Sequence, residues 1–409
     1  MKILLVNTYY YPEIYGGAEY SVKKLAEALK RYGHEVIVLA TGNSEIIEQI
    51  EDVKIIRFKP SIPCRACEIN KSTNKIKKIN RKILEIYNPF NRSKLEQILD
   101  SVSPDVIHTN GLYDISPVIW RIAKIRRIAV IHTIRDYYLC CPKITYICKS
   151  NMDCSTLNII CEVYKKIHKN STSFVDAVTA PSNIALSFHL QEGFFLNAKS
   201  VVIPNAIEFN KDSYYAESII QDKKNNNRCR VLKFVYLGAL SETKGVKWLI
   251  ENFKLINMEE FRAELWIAGK GDLIEYVKEN EDNNLHFVGF LDENGVDELL
   301  RKMDVLICPS IWNEPFGRVV LDAYKHSIPV ISSDCGALVD LVKDKITGFI
   351  VPTDNTCGLR DAMVKYMKNQ KMIDEHRANI EKELYNYTIE KQVCSFAEIY
   401  KLAKEQQKS

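Results

Sequence analysis

"NEPFGRVVLDA" (residues 313–323) decides how the second half of this chain is read. It follows the apolar run "DVLICPS" (304–310), sets a glutamate and a proline before a bare glycine, and places a second acid eight residues after the first. The spacing predicts a strand, a turn and a helix starting near Pro315, whose missing N–H is an orphan in a first helical turn anyway. Gly317 lets a ligand approach the backbone, and the free N–H groups of a first turn attract an anion. If the whole segment were helical, Glu314 and Asp322 would lie about 12 Å apart. That separation suits a sugar joined through a diphosphate to a ribose, with one acid on the hydroxyls at each end. Acids at a helix start also occur for dipole reasons alone, so support must come from elsewhere.

Support comes from three further strand ends in the same half. "YLGALSETKGVKWL" (236–249) turns through Gly238 and brings Lys244 to a helix start, where an ammonium can meet a phosphate. "WIAGKGD" (266–272) offers Gly269, and "SSDCGALVDLV" (332–342) offers Gly336. Four glycine-marked strand ends in one half are hard to explain by folding alone.

Strand and helix patterns alternate along almost all of the 409 residues, which implies parallel sheets with crossover helices and enough chain for two domains. "KILLV", "EVIVLA", "DVIHT", "IAVIHT", "VDAVTA" and "SVVIP" read as strands of the first half. "VLKFVYLG", "AELWIAG", "LHFVGF", "DVLICPS", "IPVISS" and "GFIVP" read as strands of the second. The polar, asparagine-rich stretch 205–230 reads as the linker. Neither half carries G-x-G-x-x-G after a strand or G-x-x-x-x-G-K-[ST], which disfavours a dehydrogenase and a P-loop NTPase. No run approaches a membrane span and the apolar start is too short for a signal peptide, so a cytoplasmic location is expected.

Net charge is +4 and unevenly spread. Residues 1–205 hold 28 basic against 19 acidic residues, with nine bases and two acids in 65–94 alone. Ile76, Ile79, Ile83 and Ile86 recur there at helical spacing. A basic amphipathic helix of this kind suits an anionic membrane surface, or simply packs on its own domain. The patch lacks the interleaved aromatics of a nucleic-acid stacking platform, so no nucleic acid is expected as a partner.

In this order the segments resemble the retaining nucleotide-sugar glycosyltransferases of family 4, which have the GT-B fold. The likeness runs over nearly the full length, including the closing "TIEKQVCSFAEIYKLAKEQ" (388–406). Its hallmarks are a Gly-Gly loop after the first strand (Gly16, Gly17), a G-R-L-x-x-x-K-G loop (238–245) and E-P-F-G-x-x-x-x-E (314–322). The resemblance implies an α/β chain of two Rossmann-like doubly wound domains facing a cleft. An acceptor-side domain would span 1–205, a nucleotide-sugar domain 206–384, and a helix crossing back to the first domain 385–409. It further implies that Glu314 contacts the donor sugar's hydroxyls, that the N–H groups of Phe316 and Gly317 face sugar and phosphates, and that Lys244 meets the diphosphate. Gly17, with Gly16 beside it, would bring the first domain's backbone to the donor phosphate, and Gly238 and Gly269 would line the same site.

Two positions depart from the family pattern. Asp322 stands where a glutamate usually holds the ribose, and Ala239 replaces a phosphate-binding arginine that Arg318 or Lys270 would have to replace in turn. On the acceptor side "IAVIHTIRDYYLCCPK" (128–143) matches the subgroup reading H-T-[IL]-R-D-Y-Y-x-x-C-P, with Arg135 where many relatives carry a histidine. An arginine is no base but grips phosphate or carboxylate in two-point fashion. His132 and His108 are the other candidates for the reaction centre; the plainer reading of each is a histidine satisfied at a strand end.

The implied reaction moves a sugar from a nucleotide-diphosphate donor to a glycan or lipid-linked acceptor, with no protein nucleophile and no required metal or cofactor. The rival readings are a nucleotide-sugar epimerase on the same fold and a scaffold with a decayed site. Among the twelve cysteines, Cys64 and Cys67 form C-x-x-C, and Cys140, Cys141, Cys148, Cys154 and Cys161 crowd together. This spacing is looser than paired zinc knuckles and favours reduced thiols over a structural zinc.

Overall fold

Each apolar run quoted above becomes a strand in the computed structural model, which describes residues 1–68, 74–142, 159–208, 231–256 and 260–407. The chain divides into two compact units, Met1–Asn205 with Ile389–Ser409, and Ala206–Thr388. The stretch 209–230, most of the expected linker, lies outside the described residues.

The first unit is built on β1 (Lys2–Val6), β2 (Glu35–Thr41), β3 (Ile46–Ile50), β4 (Val53–Phe58), β5 (Val106–Thr109), β6 (Ala129–Thr133), β7 (Ala177–Ala180) and β8 (Lys199–Val202). They form one sheet in the order β3-β4-β2-β1-β5-β6-β7-β8. The central strands are buried, so runs such as Ile3–Val6 are apolar without alternation. The antiparallel β3–β4 hairpin is the part that sequence reading did not anticipate. Its turn residues are Glu51 and Asp52, both at positive φ (46° and 63°). Glycine or asparagine usually marks such a turn, and neither is present here. The closing helix Ile389–Gln406 belongs to this unit and buries Ile389, Val393, Phe396, Tyr400 and Ala403 at helical spacing. Gln392 of that helix donates to the Pro204 carbonyl at 2.6 Å, and Lys404 donates to Asp105 at 2.6 Å.

Four histidines lie inside the first unit. His108 places its two ring nitrogens 2.7 Å from the Tyr400 hydroxyl and 2.6 Å from the Thr133 hydroxyl. His132 sits 3.0 Å from the Thr109 hydroxyl and stacks on Phe195. His168 and His189 contact the carbonyls of Leu139 and Ala185 at 3.0 and 2.8 Å. Burial keeps these imidazoles neutral: it pushes His132 down to about 3 and His168 and His189 to about 4, and holds His108 well below the usual range.

The second unit carries β9 (Leu232–Leu237), β10 (Ala263–Ala268), β11 (Leu285–Gly289), β12 (Val305–Cys308), β13 (Val330–Ser333) and β14 (Gly348–Val351). The order is β11-β10-β9-β12-β13-β14, and each neighbouring pair is parallel. The winding reverses between β9 and β12 here, and between β1 and β5 in the first sheet. In doubly wound sheets a ligand binds beyond the carboxyl ends of the strands at this reversal. Two glycines clamp the loops there. A Cβ on Gly245 (φ 70°) would lie 1.9 Å from the Pro309 carbonyl oxygen. A Cβ on Gly336 (φ 60°) would lie 2.3 and 2.4 Å from the backbone nitrogen and oxygen of Glu314. The loops after β9, β12 and β13 thus touch through bare backbone.

Two outcomes are expected from this packing. Below about pH 6.5 the unfolded chain takes up protons that the buried histidines refuse. Their stabilisation is therefore present above about pH 6.5 and is lost as pH falls towards their depressed native values. The melting temperature should drop by roughly 5 °C or more between pH 7.5 and pH 5, and a flat profile would mean that these rings are accessible. Gly336→Ala should cost roughly 2 kcal/mol or more in denaturant unfolding, because backbone atoms cannot step aside as a side chain would. An unchanged midpoint would show the loop to be soft.

Candidate active site

At the reversal of the second sheet, Lys244 ends the short turn Glu242–Lys244 after β9. Its ammonium donates to Oε1 of Glu314, which lies in the loop after β12. The Ser310 hydroxyl donates to the same oxygen at 2.6 Å, and the Lys244 Nζ stands 5.0 Å from the centre of the Trp312 ring. Glu314 is only 6% exposed. A carboxylate so withdrawn from water needs a cation and donors, and this one has both. Ser310 and Trp312 were not singled out from sequence. Ser310 is the first hydroxyl after an apolar strand, which is the signal that was available.

The helix after this loop starts later than the proline suggests. It spans Arg318–Lys325, with Gly317 as its N-cap in the left-handed region (φ 90°). Pro315 therefore belongs to the loop, and a helical spacing between Glu314 and Asp322 does not apply. The Phe316 ring is buried 6.4 Å from that of Tyr387, leaving only its backbone for a ligand. Arg318 lies 3.6 Å from Asp322 and 3.8 Å from Glu293. Burial pushes the Asp322 carboxyl above its ordinary range, while Arg318 pulls it back. Lys270 sits 4.4 Å above the exposed Phe290 ring. Gly238 and Gly269 follow β9 and β10, and their N–H groups are committed to the carbonyls of Ala268 and Gly289.

In the first unit Gly16 caps the helix Gly17–Arg31, and the Glu19 carboxylate accepts its N–H at 2.8 Å. Arg135 follows β6. Its Nε donates to Oδ1 of Asn110 at 2.9 Å, and its Nη1 donates to Oδ1 of Asn205. Neither asparagine was singled out from sequence, although each is the first carboxamide after a strand. The neighbouring Asp136 accepts from the Tyr113 hydroxyl and the Tyr138 N–H, and burial raises its pKa.

The basic helix Lys75–Ile86 turns Arg81 and Glu85 inward, while Lys77 stays exposed. Arg81 pairs with Glu85 at 3.0 Å and with Asp114 at 2.9 Å, all three nearly dry, while Ile76 and Ile83 are more than half exposed. Ile86 is half-buried, and the Ile79 side chain lies outside the described residues. The helix Ile159–Thr172 packs beside it and exposes Ile159, Val163 and Ile167.

Cys64, Cys67 and Cys161 are half-buried thiols and Cys140 and Cys141 are buried; Cys148 and Cys154 lie outside the described residues. Among the described residues no three His, Cys, Asp or Glu side chains converge as a metal site, and no helix is long and apolar enough to cross a membrane.

Comparison with known proteins agrees with both halves of this geometry. Residues 15–211 match the model of "Glycosyltransferase Family 4", and residues 232–369 match that of "Glycosyl transferases group 1". A protein in the cps region of Klebsiella pneumoniae is 31% identical over 345 residues, covering 83% of this chain and 87% of its own. A phosphatidyl-myo-inositol mannosyltransferase of Mycobacterium leprae is 24% identical, covering 92% of this chain and 90% of its own. Among solved structures, Anabaena HepE in complex with UDP and glucose superposes with a TM-score of 0.69 at 16% identity, over 97% of this chain and 98% of that one. The two doubly wound sheets are thus those of the GT-B fold, and the chain belongs to the group 1, family 4 glycosyltransferases.

Proposed function

We propose that this glycosyltransferase moves a sugar from a nucleotide-diphosphate donor to a lipid-linked glycan in surface-polysaccharide assembly, with retained configuration and no metal. The Lys244–Glu314–Ser310 cluster at the sheet reversal carries the reading. It holds a cation and an anion where a sugar diphosphate would need both. On binding, the Lys244 ammonium turns from Glu314 to the diphosphate, and the freed Glu314 carboxylate accepts from the sugar's hydroxyls. The N–H groups of Phe316 and Gly317 face the phosphates, and Asp322 takes the ribose.

The acceptor oxygen attacks the anomeric carbon from the face that the diphosphate leaves. One carbon–oxygen bond forms as the other breaks, and the acceptor's proton passes to the departing phosphate. Positioning and stabilisation of the leaving charge then account for catalysis. His108 and His132, enclosed in the sheet, act as positioning residues for the β5 and β6 ends rather than as bases.

A thermal-shift panel of UDP-, GDP-, ADP- and dTDP-sugars tests the reading. One donor in excess should stabilise the fold by about 2–3 kcal/mol, unchanged by EDTA. Glu314→Ala should lower turnover of that donor by about 10³-fold with the fold intact. Near-normal turnover would remove Glu314 from the site, and silence across the panel would leave a scaffold.

A lipid-linked acceptor is supported by the exposed isoleucines of Lys75–Ile86 and Ile159–Thr172, set among lysines. A helix that buries Arg81 and Glu85 and presents Ile76 and Ile83 is inverted for water but suited to an anionic membrane surface. The Klebsiella relative is named for a cps region and the Mycobacterium relative for a lipid acceptor, which point the same way. Flotation with phosphatidylglycerol-rich vesicles should retain the wild type, and Ile83→Asp with Val163→Asp should weaken retention about tenfold. Equal retention of both would exclude this face.

A further inference from the structure

Four arginines of the first unit are drawn in from water, Arg57, Arg65 and Arg81 buried and Arg135 half-buried, and they are treated unequally. Arg57 meets Glu48 at 2.5 Å, Arg65 meets Glu13 at 2.6 Å, and Arg81 meets Glu85 and Asp114. Arg135 has no carboxylate within ion-pair distance among the described residues. Glu19 is the acid whose field it feels, but that carboxylate accepts from the Gly16 N–H instead. Two carboxamide oxygens hold Nε and Nη1 of Arg135. They fix the plane of the guanidinium without neutralising it, since an amide oxygen carries only a partial charge. Burial pushes the pKa of Arg135 down to about 10, the mark of a cation short of a counter-ion.

A second group beside it is also unsatisfied. Asn110 is 1% exposed, and its Nδ2 has no hydrogen-bond partner among the described residues. The amide cannot simply be turned over, because the Arg135 Nε–H requires an acceptor at Oδ1. The hydrogen bonds of Arg135 among the described residues use Nε and Nη1, which leaves Nη2 of this half-buried side chain open. A buried donor left empty costs stability, and a half-buried charge without a counter-ion is poorly compensated. Here both occur side by side, beyond the carboxyl ends of β5 and β6 and next to the β1/β5 reversal, where a doubly wound sheet binds its ligand.

We propose that Arg135 and Asn110 form an oxyanion subsite, which takes a phosphate or carboxylate group carried by one of the transferase's substrates. Nη2 of the guanidinium and Nδ2 of the amide are the donors it offers. Asn205 is a positioning residue that locks the guanidinium plane. The subsite deepens the transferase reading and rests on it for what carries the anion, but not for whether an anion binds.

The test is calorimetric titration of the full-length chain with inorganic phosphate and with methyl glucuronide. A Lys244→Met background removes the other candidate anion contact. Lys244→Met should bind at least one probe, and adding Arg135→Met should weaken it about tenfold or more, with Arg135→Lys retaining part of the affinity. Asn110→Ala should weaken the same probe by a smaller factor. Titration of UDP into Arg135→Met alone identifies the carrier. An affinity loss of about tenfold assigns the anion to the donor diphosphate; an unchanged UDP affinity beside a lost probe assigns it to the acceptor or to an acidic sugar.

Probe affinities within about twofold of the parent overturn the proposal, even if Arg135→Met lowers the melting temperature, because that combination is a structural bond only. Should Arg135→Met fail to fold, Arg135→Gln and Asn110→Ala carry the same comparison. If no nucleotide sugar binds the wild type while phosphate binding still depends on Arg135, the transferase reading fails and the subsite stands.

Discussion

A carboxylate that is almost dry cannot stand alone, and the loop geometry of the second unit follows from how Glu314 is satisfied. Its cation comes from the end of β9 and its hydroxyl donor from the end of β12, so one acid ties together the two strands at the sheet reversal. Gly245 and Gly336 exist to let that tie close, since any side chain at either position would meet backbone. On the proposed reading the ion pair also stores the charges that a sugar diphosphate would need. A donor bound there would exchange partners with groups already neutralised, rather than strip water from a naked lysine and a naked glutamate.

The first unit solves the opposite problem. Most of its buried cations are matched by acids, and Arg81 is matched by two, which is what allows a helix to bury Arg81 and Glu85 while Ile76 and Ile83 face outward. Against that background the neutral partners of Arg135 stand out. A guanidinium held by two carboxamides is less well compensated for its lost water than one held by a carboxylate. Its retention at a strand end, beside an amide whose own donors are empty, is the behaviour of a group kept for something other than folding.

Legibility in the sequence followed burial. Strands covered on both faces announce themselves as apolar runs, and all six strands of the second sheet could be read that way, as could six of the eight in the first. β3 and β4 escaped because one is half-exposed and their turn bends through Glu51 and Asp52 instead of glycine. The helix start was misplaced because Pro315 fits a first turn in isolation. In the folded chain the Glu314 tie and the left-handed Gly317 delay the helix by three residues. Lys244 and Glu314 were legible as a pair of charges at glycine-marked strand ends, whereas Ser310, Asn110 and Asn205 were not. Short polar residues after strands are common, and only the partner across space gives them meaning.

Asp322 illustrates how a departure from a family pattern is absorbed. A glutamate there would extend one methylene further along the helix face. The aspartate instead stays within 3.6 Å of Arg318, four residues before it, and Arg318 also faces Glu293. Three charges therefore share one patch, and the shorter acid is the one drawn back towards its own helix. Burial raises the pKa of Asp322, while Arg318 and Lys325 oppose the rise. An arginine engaged with two acids is poorly free to replace the guanidinium missing at Ala239. On the proposed reading a donor diphosphate would then rely on Lys244 and on backbone N–H groups. The backbone donors are fixed by the loop, and the Lys244 ammonium is held by Glu314, which places the burden of orientation on the same Glu314 tie.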